Sequence, residues 1–224
     1  MVLADLLFPR ICPVCGEILN RRERGLCLGC YCDLPLTFFW NWRDNPAEQL
    51  FWGRLYTEAC ASLIFYREDC PYKAIIHDFK YNSRRDLGDY LSSLLAQKLI
   101  TSGRFSEIDL IVPVPLHWYK RWKRGFNQSQ IIANSLSRIL GIPVANNVLK
   151  RKRFTSTQTR KTHDQRWRNV CGAFELKNIE SIAGKHILLV DDVLTTGATL
   201  DACGNIILAL DGCKVSIATL AFVE

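Results

Sequence analysis

The sequence predicts an α/β fold: a parallel sheet flanked by helices, with a small cysteine-rich module at its N-terminal end. Three observations lead there. From about residue 54 onward, apolar runs rich in β-formers alternate with helical stripes. Two of those runs end in polar or proline-rich turns, "VPVP" (112–115) and "VDD" (190–192). The first 34 residues hold two C-x2-C pairs and little regular periodicity. Strands separated by helices of ~12 residues imply βαβ units with helices on both faces of the sheet. Such sheets bind ligands beyond the carboxyl ends of their strands, which is where "VPVP" and "VDD" fall.

Each element follows from its pattern. "ACASLIFY" (59–66) reads as a strand. Tyr72, Ile75, Ile76 and Phe79 recur at helical spacing, as do Leu87, Leu91, Leu94 and Leu95. "DLIVPV" (109–114) is a buried strand, and Ile132, Leu136, Ile139 and Leu140 stripe a helix that opens after Asn127. "IPVANNVL" (142–149) is read as a further strand. Residues 150–169 carry no apolar stripe and read as an exposed loop leading into a short helix. "KHILLVDD" (185–192) is a strand, Thr199 to Leu210 a helix, and "KVSIATLAFV" (214–223) the closing strand. The chain divides into a module at 1–34, an aromatic linker at 35–53 with Pro35, Pro46 and Gly53 as breakers, and a main domain at 54–224.

With 224 residues and 48% hydrophobic content, an ordinary core is available and the composition argues against disorder. No apolar run reaches the ~18 residues of a membrane helix. The start "MVLADLLFPR" lacks the basic and long apolar regions of a signal peptide, so the expected location is the cytoplasm. There the ten cysteines stay reduced, which favours metal over disulfides for any cluster with ligand spacing. A formal charge of +7 and a pI near 8.9 point to an anionic partner without choosing between nucleic acid and a phosphorylated small molecule.

"CPVCG" (12–16) and "CLGC" (27–30) supply Cys12, Cys15, Cys27 and Cys30 as ligands for one structural Zn²⁺ in a small ribbon. Cys32 competes with Cys30 for the fourth place. A redox C-x-x-C is the rival, but that motif occurs once, at the start of a helix. Four thiolates leave no open position, so no catalysis is assigned. Cys60, Cys70, Cys171, Cys203 and Cys213 are scattered and read as small buried residues.

"HILLVDDVLTTGATL" (186–200) ends an apolar strand with Asp191 and Asp192, then offers Thr195, Thr196, Gly197, Ala198 and Thr199 where strand turns to helix. In the plain alternative the two acids are solvated turn residues or helix caps. Unpaired N–H groups and the helix dipole favour an anion at that turn by roughly 0.3–1 kcal/mol. Two carboxylates accepting from ribose hydroxyls, with a 5′-phosphate held one sugar-length away, would satisfy every group. This stretch resembles the phosphoribosyl pyrophosphate (PRPP) signature of type I phosphoribosyltransferases. The resemblance implies that Asp191 and Asp192 face the ribose 2′ and 3′ hydroxyls, orienting the sugar and stabilising its developing positive charge, and that Thr195 to Thr199 hold the 5′-phosphate. It also implies Mg²⁺ bridging pyrophosphate and ribose hydroxyls.

"IVPVPLHWYKRWKRGFNQSQIIA" (111–133) places Pro113 and Pro115 in a tight loop before Arg121, Lys123 and Arg124. Joined to the cysteine module, it resembles the ComF family of competence-associated, type I phosphoribosyltransferase-like proteins, and the resemblance spans essentially the whole chain. It implies that Val114 and Pro115 stand where pyrophosphate is held, with Arg124 nearby. It further implies that "TQTRKTHDQRWRNVCGAF" (157–174) is a loop closing over PRPP, with Arg160 and Arg166 as phosphate contacts. Lys80 and Arg85, in "HDFKYNSRRDLG" (77–88), lie within reach of the site. No residue pattern names the acceptor.

Two functions from different classes follow. One is a Mg²⁺-dependent phosphoribosyltransferase acting on an amine or nucleobase. The other is a protein that senses PRPP or a nucleotide while its basic face engages single-stranded DNA or DNA-uptake proteins. In "HWYKRWKR" (117–124) Trp118, Tyr119 and Trp122 interleave with cations, and "KRKR" (150–153) adds four more. The four histidines lack metal spacing. His186 reads as structural, and His77 and His117 as weaker candidates for the site.

Overall fold

The computed structural model describes residues 9–82, 84–116, 122, 124–151 and 173–224. Its centre is a four-stranded parallel sheet built from β1 (Cys60–Tyr66), β2 (Leu110–Pro113), β5 (His186–Leu194) and β6 (Lys214–Val223), in the order β1-β6-β5-β2. The pairs are in parallel register, with Leu110 opposite Ile187 and Ile187 opposite Val215. A short antiparallel ribbon, β3 (Leu149–Arg151) with β4 (Phe174–Leu176), stands apart. A parallel sheet needs cover on both faces, and β5 and β6 accordingly read as near-continuous apolar runs.

One face is covered by three helices: α3 (Lys73–Tyr81), α4 (Arg85–Ser102) and α5 (Gln128–Leu140). Leu87, Leu91 and Leu95 of α4 and Ile132 and Leu136 of α5 bury against Leu188, Val190 and Ala218. The predicted helical stripes are these faces. Gly88 lets α4 and α3 meet, since a Cβ there would lie 2.2 Å from the Phe79 ring. Leu19, Leu26, Cys27 and Cys30 of the N-terminal module join the same core, and the Tyr72 hydroxyl donates to the Cys30 carbonyl at 3.1 Å.

The other face is covered by α6 (Ala198–Leu208), which sets Leu200, Cys203 and Ile207 against Ile187, Leu189 and Ile217. Phe39, Ala47, Phe51 and Leu55 complete this second core. Phe39, Ala47 and Phe51 come from the stretch read as an aromatic linker. That stretch holds a 3₁₀ turn at Phe39–Asn41 and a short helix, α2 (Pro46–Gln49), and runs along the edge of β1. Thr37 N–H donates to the Leu63 carbonyl and Phe65 N–H to the Pro35 carbonyl, which blunts a sheet edge that would otherwise be open. Phe39 packs on one face of the sheet and Trp40 on the other. Asn45 is fully buried and fixes the turn. Its amide donates to the carbonyls of Phe39, Trp42 and Cys60, and its oxygen accepts from Ala47 and Glu48 at the start of α2.

One expected strand shrinks. In 142–149 only Val144 bridges to Ile111, and β3 begins at Leu149. Pro143 has no N–H to give a ladder, and the Asn146-Asn147 pair lies in a turn. The loop read over 150–169 lies almost wholly outside the described residues. Among those described, no helix is long and apolar enough to cross a membrane.

Candidate functional site

The carboxyl ends of β2 and β5 lie side by side. Val114, just beyond β2, donates its N–H to the Val190 carbonyl at 2.9 Å, so the turn at Val114 and Pro115 is pinned beside Asp191 and Asp192. Asn127, which precedes α5, donates its amide to the Val114 carbonyl at 3.1 Å. The proline-flanked turn after β2 and the acid pair of β5 therefore bound one cleft, and β5 runs on to Leu194, past the end at Asp192 that the sequence pattern predicts.

The acids are not free caps. The Asp191 carboxylate accepts from the Ser129 hydroxyl at 2.9 Å and from the Asp192 N–H at 2.9 Å. Asp192 pairs with the Lys80 ammonium at 3.5 Å, with both side chains mostly buried. Burial, and then the charge of Asp192, push Asp191 up to about 7, against the lowering effect of the Asp192 N–H, Ser129 and Lys80. One carboxylate of the pair is thus held reluctant to ionise in the absence of ligand.

Beyond β5, Thr195 to Gly197 form the turn and Ala198 opens α6. Gly197 is the cap residue with φ +73°, a left-handed conformation that glycine adopts without strain. A Cβ at Gly197 would lie 2.8 Å from the Phe51 ring, so a side chain is excluded on two counts. Thr195 is exposed, and Thr196 and Thr199 are half-buried. Thr195 and Val193 join Lys80, Tyr66 and Glu224 in lining a cavity of about 530 Å³ at the ends of β1, β5 and β6.

Arg124 stacks its guanidinium over Tyr81 at 5.2 Å and donates to the Gln128 carboxamide at 3.2 Å. That places it on the α5 side of the cleft. Arg85 lies over Phe126 at 4.9 Å. His77 is exposed on α3 beside Tyr81. His186 begins β5, at the opposite end of the strand from the acids, and shares a hydrogen bond with Ser216 at 2.9 Å. Arg160, Arg166, His117, Arg121 and Lys123 lie outside the described residues. Sequence reading missed Ser129 and Asn127 as site residues, although both stand in the quoted "RGFNQS". It also missed Arg54 and Phe51, which support the Thr/Gly loop from behind.

The second cluster is at the N-terminus. The sulfurs of Cys12, Cys15, Cys27 and Cys30 all lie within 4.8 Å of one another, with Cys15 and Cys27 at 3.6 Å. A tetrahedral Zn²⁺ with Zn–S of about 2.3 Å requires S···S of about 3.8 Å, so the donors fit. Burial and the three neighbouring thiols push the Cys30 thiol well above its ordinary range. A cation at their centre would let all four sulfurs ionise. Cys30 rather than Cys32 completes the set, because Cys27 caps α1 (Leu28–Cys32) and Cys30 follows one turn on, on the same face.

Asp191 makes a stability prediction. Its folded-state pKa lies above its ordinary value of 3.8, so the folded chain holds a proton there that the unfolded chain has released. The stability this contributes is present below about pH 4 and is lost as pH rises toward about 7. Asp191→Asn keeps an acceptor for Ser129 and carries no charge. It is expected to melt several degrees above the parent at about pH 8, at roughly 2–4 °C per kcal/mol, with the gap closing toward about pH 4. A variant that melts lower at both pH values would mean that the carboxylate acts as a structural cap.

Residues 127–223 match the phosphoribosyl transferase domain family. Competence protein F of Haemophilus influenzae is 29% identical over 226 residues, covering 94% of this chain and 96% of that protein. DNA utilization protein YhgH of Escherichia coli is 31% identical over 215 residues, covering 92% and 88%. Competence protein ComFC of Bacillus subtilis is 33% identical over 195 residues, covering 85% and 68%. On these matches, which cover most of its length, the chain belongs to the ComF family of phosphoribosyltransferase-like proteins.

Proposed function

We propose that this protein binds PRPP in the cleft between the ends of β2 and β5 and transfers its ribose 5-phosphate to an amine or nucleobase nitrogen. The observation that carries the reading is the half-buried Asp191–Asp192 pair, set between the Val114–Pro115 turn and the Gly197 turn. Asp191 and Asp192 accept from the ribose hydroxyls. Thr195, Thr196, Thr199 and the N–H groups of Gly197 and Ala198 hold the 5′-phosphate. Val114, Pro115 and Arg124 face the pyrophosphate. The bond from ribose C1 to the pyrophosphate oxygen breaks with its electron pair leaving on pyrophosphate. The acceptor nitrogen bonds to C1 and loses a proton. Catalysis is then positioning and electrostatic stabilisation of a cationic ribose, with no covalent nucleophile.

The oxygen donors around Asp191 and Asp192 suit Mg²⁺, a hard cation. Bound with PRPP, it would neutralise charge on the departing pyrophosphate. The cavity lined by Tyr66, Lys80 and Glu224 adjoins the acid pair and is large enough for a small acceptor. A cytoplasmic setting, where PRPP and reduced thiols coexist, fits both clusters.

A second reading is supported by the names of the relatives, competence and DNA utilization, and by Trp122, two positions before Arg124 in the chain, which is 78% exposed. In it the pocket senses PRPP or a nucleotide without turnover, and Arg121, Lys123, Arg124 and the run from Lys150 to Arg153 engage single-stranded DNA or DNA-uptake proteins.

Calorimetry should find Mg²⁺-dependent PRPP binding. Asp192→Asn should weaken it by about tenfold to a hundredfold, because an amide presents a donor where lone pairs are required. Thr196→Val should weaken PRPP and ribose 5-phosphate alike. Pyrophosphate release with any member of a nucleobase and amine panel supports transfer, and tight binding with no release across the panel supports the sensing role. No binding of PRPP by folded protein would sink the transfer reading, and no binding of PRPP or of any nucleotide would sink both.

For the cysteine cluster, purified protein is expected to carry about one equivalent of zinc. Cys30→Ser should lose it, and Cys32→Ser should retain it. Equal zinc loss in the two variants would contradict the ligand set.

A further inference from the structure

The segment between α2 and β1 touches the back of the Thr/Gly loop. Arg54 donates from one guanidinium nitrogen to the Thr196 carbonyl at 3.3 Å and to the Leu50 carbonyl. Its other terminal nitrogen lies 3.6 Å from the Asp201 carboxylate, whose side chain is 1% exposed. Asn205 donates to the Arg54 carbonyl at 3.1 Å and to Asp201 at 2.8 Å. Phe51 lies against Gly197, and Leu55 against Gly204 one and a half to two turns further along α6; a Cβ at either glycine would clash. Residues 51–55 are thus laid along the first half of α6 at a distance only glycine permits.

Two consequences follow for an anion bound at the loop. The described peptide bonds are all trans, so the carbonyl of Thr196 and the N–H of Gly197 point in opposite directions. Holding that carbonyl toward Arg54 turns the Gly197 N–H away from Arg54 and out of the brace. Asp201 sits in the first turn of α6, where its buried negative charge would repel a phosphate. Arg54 is the cation that offsets it.

We propose that Arg54 is a positioning residue for the phosphate-binding turn: it fixes the Thr196–Gly197 peptide and neutralises Asp201 without touching the ligand. This rests on the reading of Thr195 to Thr199 as the 5′-phosphate loop. The brace comes from a segment distant in sequence, 142 residues from Thr196, so phosphate binding depends on the docking of residues 50–55.

The test is calorimetry with ribose 5-phosphate and, separately, with Mg²⁺-pyrophosphate, on the parent, Arg54→Met and Arg54→Lys. Methionine keeps a flexible apolar stem and removes the charge and both donors. Arg54→Met is expected to weaken ribose 5-phosphate by about tenfold and to leave pyrophosphate, held at the Val114–Pro115 turn, unchanged. Arg54→Lys keeps the charge but offers a point donor, and should fall between the two. A general loss of structure would weaken both ligands together, and that result overturns the proposal, as does parental affinity for ribose 5-phosphate in Arg54→Met. If Arg54→Met does not fold, the lysine variant decides, and parental selectivity in it overturns the proposal. Failure of the parent itself to bind ribose 5-phosphate removes the phosphate-loop reading first, and the brace with it.

Discussion

Two adjacent carboxylates interrupt strand β5 directly after four apolar, fully buried residues, Ile187 to Val190. That is costly: removing a charge from water and placing a like charge beside it both oppose ionisation. The surroundings of Asp191 and Asp192 are arranged to bear this cost. Ser129 and a backbone N–H serve one acid, and Lys80 serves the other. Ser129 and Lys80 come from helices on the α3–α5 face of the sheet, so the packing of that face is also what makes the acid pair tolerable. The incomplete compensation is informative, since Asp191 remains pushed up. A ligand that brings hydroxyl donors would complete it.

The turn after the acids is served from the opposite face. Phe51, Arg54 and Leu55 approach α6 so closely that Gly197 and Gly204 have no room for a side chain. The cleft is therefore gripped from both sides of one sheet, with the acids held by α3 and α5 and the turn by the edge segment. The cysteine module adds its leucines to the α4 side and reaches α3 through Tyr72. A module of this size has little core of its own. A metal at its four sulfurs would give that side a rigid anchor.

Much of this was legible in the sequence. β1, β5 and β6 appear as apolar runs, α3 to α5 as stripes, and the two turns as motifs, because local pattern and global fold agree there. Other features were not legible, each for a physical reason. Phe39 and Trp40 are neighbours that pack on opposite faces of the sheet, and an aromatic-rich stretch with prolines carries no period that reveals this. Residues 142–149 have strand composition, but Pro143 and the Asn146-Asn147 turn leave a single bridge. Arg54 looks like any surface arginine until Asp201, far along the chain, is brought to it. The choice of Cys30 over Cys32 required the helix that starts at Cys27. Ser129 sat inside a quoted motif, and its polar position at the start of an amphipathic helix was the available signal.

The central claim is that the acid pair exists to receive a sugar's hydroxyls. Carbon-13 NMR of aspartate-labelled protein, titrated with and without saturating Mg²⁺-PRPP, tests it most directly. Hydroxyl donors stabilise the ionised form of a carboxylate. The account predicts that an aspartate titrating near neutrality in the free protein, assigned by Asp191→Asn, shifts to markedly lower pH when PRPP binds. A titration unmoved by bound PRPP would contradict it.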